Sequence, residues 1–233
     1  MSSDQKPLDL GSLRDALSHE RLGAYERMAG GAGLDGALRL YAWDVRLAGA
    51  FFEEIHYLEV VLRNAIHVQL AALHGGDDWF RHRDWFPLRT LEELDSACDR
   101  LRSRGKPVTP GRVVSELNLG FWKAMLSVRH DRLWKPRQGL HAGFPALEDA
   151  YHRRGDVADI VNELNLLRNR IAHHQSIIER DHLADHGTIV DLLGWISPDA
   201  ARLVDGAGRV PRVVARRPVM APASGGADDP VPG

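Results

Sequence analysis

The sequence predicts an all-α fold, and three observations carry that expectation. Apolar residues recur at intervals of three and four over long stretches. Capping residues and Gly/Pro breakers punctuate those stretches at helix-length intervals. No apolar–polar alternation runs for several residues between turn signals, so no strand is expected.

The elements follow in order along the 233 residues. Residues 1–17 read as a short lead-in. Ser18 can cap a helix that begins near His19 and is broken by Gly30-Gly31-Ala32-Gly33. A helical stretch then runs from Leu34 to Leu73, with Leu38, Tyr41, Val45 and Ala48, and then Leu58, Val61, Leu62 and Ala65, at helical spacing. Its length predicts a break near Gly49 or His56. Trp79 to Pro87 reads as an aromatic loop, and Leu91 to Arg104 as a charged helix. Arg112 to Arg132 reads as one helix with Leu117, Phe121, Met125 and Val128 on one side, followed by a loop from Trp134 to Phe144. Asp156 to Ile178 is a strong helix, and Thr188 to Trp195 a short final one before a turn at Ser197-Pro198-Asp199. These elements place one helical domain over residues 18–204. From Asp205 on, Pro, Gly and Ala dominate, which predicts a disordered tail over residues 205–233. No internal repeat is found.

Composition narrows the function. The formal charge of -2 gives no global basic field, so any nucleic acid would be held by a local patch. The single cysteine, Cys98, excludes a disulfide framework within the chain, argues against a thiolate zinc site and fits a reducing cytoplasm. The N-terminus has no apolar signal core, and no run of about 18 apolar residues predicts a membrane span. Twelve histidines favour acid–base chemistry or metal binding.

The segment that concentrates chemistry is Arg168-Asn169-Arg170-Ile171-Ala172-His173-His174. On the same helix, Leu164, Leu167, Ile171 and Ile178 make a core-facing stripe. Asn162, Asn165, Asn169 and His173 make a second stripe. Asn is a poor helix former, so a face of three Asn and one His is held there by something other than propensity. A guanidinium fits two phosphate oxygens, and an imidazole exchanges a proton near neutral pH. Together they suit transfer of an RNA 2′-hydroxyl onto the adjacent phosphate, chemistry that needs no metal. Five residues on an ideal helix separate two side chains by about 140° and about 7.5 Å along the axis. Arg168 and His173 of one chain are therefore poor neighbours, and a two-fold pair of chains would bring two of each into one cleft.

The segment resembles the R-x4-6-H signature of the HEPN superfamily, in the form carried by Abi-like (abortive infection) proteins. The likeness covers roughly residues 18–204. It includes Leu38-Arg39-Leu40-Tyr41-Ala42-Trp43-Asp44, Leu58 to Ala65, Leu119-Gly120-Phe121-Trp122, Arg132-Leu133-Trp134 and Gly194-Trp195-Ile196. The resemblance implies a HEPN-like helical bundle, a homodimer and a metal-independent endoribonuclease in anti-phage defence or a toxin–antitoxin pair. It makes Arg168 and His173 the catalytic pair and Asn169 the polar position after the Arg. His174 and Asn165 are supporting residues. No cofactor is implied; the implied partners are an RNA substrate and an antitoxin or small RNA regulator. The chain departs from the family pattern at Gln175 and Ser176, where an acidic residue and a proline are usual, and at Asp44, where Asn is usual.

Other candidates carry two readings each. Glu59, Arg63 and His67 share a helix face, either as an intrahelical ion pair or as a phosphate-binding Arg63 steadied by Glu59. Phe121, Trp122 and Trp134 are core residues or base-stacking ones. Trp79 and Trp85, near Arg81, Arg83 and Arg89, form a packed surface loop or an RNA contact. Arg209, Arg212, Arg216 and Arg217 decorate the tail, either solvated or drawing in RNA. As an alternative to catalysis, the whole chain could be a non-catalytic module that binds RNA or an antitoxin. A third reading is a helical dimer in which the Arg–Asn–His stripe is an interface network.

Overall fold

The computed structural model describes residues 8–135 and 139–220. These residues form α-helices joined by short 3-10 turns, with no strand among the described residues. Two compact units are present, Met1–Gly49 with Pro211–Gly233, and Ala50–Val210. The expected all-α class is the observed one.

The lead-in contains α1 (Leu10–Leu17), N-capped by Asp9, whose carboxylate accepts from the Ser12 N–H. Ser18 caps α2 (His19–Ala29) as expected, its hydroxyl accepting from the Arg21 N–H. Helix α3 (Gly33–His74) runs unbroken for 42 residues, without the expected break near Gly49 or His56. Buried residues recur along its full length, from Ala37, Leu40, Trp43 and Leu47 through Phe51, Ile55, Leu58, Leu62, Ile66 and Leu70. Continuous packing of this kind sustains a helix beyond what propensity would hold. The buried register in its first half lies one residue before Leu38 and Tyr41, and Val45 is exposed. Apolar residues occupy both adjacent stripes there, and the bulk of Trp43 decides between them.

Residues 205–220 are not a disordered tail. Helix α10 (Pro198–Ala207) continues past Asp205, and α11 (Val210–Val214) follows, with Val210 fully buried. The Val213 carbonyl accepts a hydrogen bond of 2.7 Å from the Trp43 indole, and the Arg217 guanidinium lies 5.1 Å from that ring's centre. The apolar run Val210-Pro211-Arg212-Val213-Val214 is short, and the Pro/Gly average around it hid its capacity to pack. Residues 221–233 lie outside the described residues.

In Ala50–Val210, α4 (Leu88–Ser103) matches the expected charged helix. The single helix expected over residues 112–132 is instead three: α5 (Pro110–Glu116), α6 (Leu119–Ala124) and α7 (Asp131–Trp134), with a 3-10 turn at Val128–His130. Leu117 and Ser127 take extended backbone, and Asn118 restarts a helix by accepting from the Phe121 N–H at 3.1 Å. Helix α8 (Arg154–Ala172) lies beside α9 (His182–Ile196) and α6. Helix α9 starts earlier than expected because Asp181 caps it. The expected turn at 197–199 is the start of α10, with Ser197 as N-cap and Pro198 in its first turn. Gly208 ends α10 so close to α3 that a Cβ there would meet the Val204 carbonyl at 2.5 Å and the Glu54 carboxylate at 2.7 Å.

Two buried polar clusters are paired. Glu54 and His186 are both buried, the His186 Nδ1 lying 3.1 and 2.9 Å from the two carboxylate oxygens. Burial raises the Glu54 pKa against the opposing pull of His186. His130 is 2% exposed and hydrogen-bonded to Thr90 and Ser127. Burial pushes its pKa down to about 4. A histidine lowered in the fold binds fewer protons there than in the unfolded chain. Stability from it is therefore full above the ordinary histidine range and lost as pH falls toward 4. Urea unfolding should show the wild type losing on the order of 3 kcal/mol more than His130→Gln between pH 7 and pH 4. Equal losses in the two proteins would show that His130 is not held neutral.

Candidate active site

The site grows from the end of α8. Val157, Val161, Leu164 and Leu167 are buried and fix the helix's roll. That roll leaves Asn162 exposed, Asn165, Arg168 and Asn169 half-buried, and His173 and His174 exposed. The helix ends at Ala172, six residues short of the expected Ile178, and Ile171 is only half-buried. Ile178 is still buried, but from the segment after the helix.

The way α8 ends positions both histidines. His173 is the C-cap, its N–H donating to the Asn169 carbonyl at 2.9 Å. His174 takes a left-handed backbone with φ 55°. The His174 N–H donates to the Ile171 carbonyl at 3.0 Å and the Gln175 N–H to the Arg170 carbonyl at 2.8 Å. These are the paired bonds of a Schellman motif, in which glycine usually holds the left-handed position. A histidine there costs about 1 kcal/mol relative to glycine. The Arg170 guanidinium then braces the turn by donating to the Ser176 carbonyl at 2.7 and 3.3 Å. Two further contacts hold the following segment: Arg180 pairs with Asp185, and His182 Nε2 lies 2.8 Å from the Ile177 carbonyl.

Glu59 does not pair with Arg63. It reaches across to α8, and the Arg168 Nε donates to its Oε1 at 3.2 Å. The Arg168 side chain is about one-third exposed, and among the described residues its two terminal nitrogens carry no hydrogen bond. The carboxylate thus aims the guanidinium while leaving its outer edge open. Arg63 lies one turn further along the same face of α3, with its Nε buried and without a hydrogen-bond partner among the described residues. A buried, unmatched N–H of this kind costs about 1–3 kcal/mol until a partner arrives.

Next along that face is His67, which spacing placed beside Arg63 without assigning it a role. Its Nδ1 accepts from the Trp79 indole at 2.8 Å. Its pKa is lowered by burial, with Arg63 acting in the same direction and Asp77 against it. His67 is therefore held as a neutral ring whose remaining N–H is on Nε2. Tertiary pairing revealed this, since the sequence does not show that Trp79 is its donor.

The remaining candidates fall out as follows. Phe121, Trp122, Trp134 and Trp79 are all buried in the core, and Trp85 is half-buried and stacked on His82 at 4.6 Å. Arg83 is committed to Asp95 and Arg209 to Glu53, each by two hydrogen bonds. Among the described residues, no group of three or more His, Cys, Asp or Glu side chains could hold a metal ion, and no helix is long and apolar enough to cross a membrane.

Fold and site together define an all-helical protein that presents an Asn-rich helix face ending in an aimed arginine and two exposed histidines. The family described as Abi-like protein matches residues 13–179, well over half of the chain, and the chain belongs to that family. No curated protein and no solved structure matches the chain.

The left-handed turn yields a direct test. His174→Gly should raise unfolding free energy by about 1 kcal/mol by removing the left-handed penalty. A thermal melt showing no gain would mean that the turn holds His174 without strain.

Proposed function

We propose that this chain is a metal-independent endoribonuclease of HEPN type that acts in abortive infection or as a toxin. The observation that carries the reading is the aimed guanidinium. Arg168 is held at Nε by Glu59, its terminal nitrogens carrying no hydrogen bond among the described residues, on the helix capped by exposed His173. Arg63, half-buried one turn from Glu59 on α3, is a second candidate phosphate contact.

In this reading RNA lies across the end of α8. His173 removes the proton of a 2′-hydroxyl, whose oxygen attacks the adjacent phosphorus. The P–O5′ bond breaks, leaving a 2′,3′-cyclic phosphate and a 5′-hydroxyl, the leaving oxygen taking from imidazolium the proton that the 2′-hydroxyl gave up. Arg168 stabilises the charge that develops on the phosphate oxygens. Asn169 steadies the helix end through its carbonyl, which accepts the His173 N–H. Asn165 and His174 contact the strand on either side. The five-residue separation along α8 favours a homodimer, in which a second copy supplies the complementary Arg168 and His173. An antitoxin or small RNA would then act by covering the same helix end.

A second reading is supported by the ion pair itself. An arginine already matched to Glu59 suits a non-catalytic RNA- or antitoxin-binding module as well as an enzyme. Cleavage of single-stranded RNA with end-group analysis separates the two. The wild type should yield cyclic phosphate ends, and Arg168→Ala and His173→Ala should each lower the rate at least about a hundredfold with unchanged helix content. Chelator should leave the rate unchanged. Full activity in both variants rejects the catalytic assignment, and binding without cleavage by the wild type selects the second reading.

A further inference from the structure

A groove of about 780 Å³ opens between α4, α6 and the 3-10 turn before α7. Its floor is polar yet enclosed: Thr90 is 5% and His130 2% exposed, and they are hydrogen-bonded to one another. Its lining carries four cations, Arg89, Arg100, Lys123 and Arg129, against two carboxylates, Glu92 and Glu93. Arg129 is exposed and makes no ion pair among the described residues. Arg89 is held only loosely, 3.9 Å from Glu93. One rim residue reaches α8. Lys123 Nζ donates to the Asn162 Oδ1 at 3.1 Å, and Asn162 is the first residue of the Asn162–Asn165–Asn169–His173 stripe.

We propose that this groove holds the single-stranded RNA that leads along the α8 stripe into the Arg168–His173 end. This rests on the nuclease reading above and extends it to how the substrate is held. Asn162 and His173 are eleven residues apart, which on a helix is about 16 Å. At about 3.4 Å per stacked nucleotide that is roughly five nucleotides. Rim cations meet phosphates. Leu166, 47% exposed among the asparagines, gives a base an apolar surface. A duplex presents its bases inward and could not use that apolar surface, so the strand is single.

The test uses the full chain and oligouridylates of 4 and 12 nucleotides, 2′-O-methylated for binding and unmodified for cleavage. The wild type should bind the 12-mer more tightly than the 4-mer. Arg89→Gln combined with Arg129→Gln, both at exposed positions, should weaken 12-mer binding about tenfold and reduce the salt slope by about 1.4. Cleavage of the 4-mer should not change. A double variant that binds the 12-mer like the wild type overturns the groove and leaves the nuclease reading standing. Length-dependent, groove-dependent binding with no cleavage by the wild type sinks the nuclease reading and keeps the groove. Displacement of the 12-mer from the groove by polyglutamate at equal charge concentration overturns RNA in favour of an acidic protein partner.

Discussion

Everything proposed at the end of α8 depends on how that helix stops. Its buried face would allow another turn, because Ile178 is apolar and falls in register. Instead the backbone turns left-handed at His174, and the carbonyls of Arg170 and Ile171 are closed off by the N–H groups of Gln175 and His174. Had the helix continued, His173 would lie on a helix wall; as C-cap it projects from the tip. The Arg170 contacts to the Ser176 carbonyl hold the chain in that course.

The second constraint is the cross-helix pair of Glu59 and Arg168. Both side chains are about one-third exposed, so the pair adds little to stability, under about 1 kcal/mol. Its consequence is orientation. A guanidinium gripped at one nitrogen can no longer sweep through its rotamers, yet keeps the edge that fits a phosphate. With Glu59 drawn to α8, the Arg63 Nε is left buried without a hydrogen-bond partner among the described residues. One carboxylate thereby sets two cations on a single surface. The overall formal charge of -2 concealed that local excess.

The neighbouring groove follows from the same breaks that defeated the expectation of one helix over residues 112–132. Extended backbone at Leu117 and Ser127 turns one potential rod into short helices, and a groove opens over Thr90 and His130. Asn118, which a helix interior disfavours, is used as a cap. Asparagine thus serves in two different ways. Asn118 ends and restarts a helix, whereas Asn162, Asn165 and Asn169 stay on one and face outward or sideways.

By itself the sequence determined the all-α class, the Ser18 cap, the buried stripe of Leu164 and Leu167, and the placing of Arg168 and Asn169 on one helix, but not that the helix stops at Ala172. These are local: they follow from spacing along the chain and the hydrogen-bonding habits of individual residues. Tertiary structure alone decided that Glu59 meets a residue 109 positions away rather than Arg63, four positions along. It also decided that Trp79 fixes the His67 ring, that α3 runs unbroken, and that Val210 to Val214 pack as a helix. Partner choice and burial depend on which surfaces meet, and two stripes of similar polarity or two competing cations look alike until a neighbouring helix selects between them.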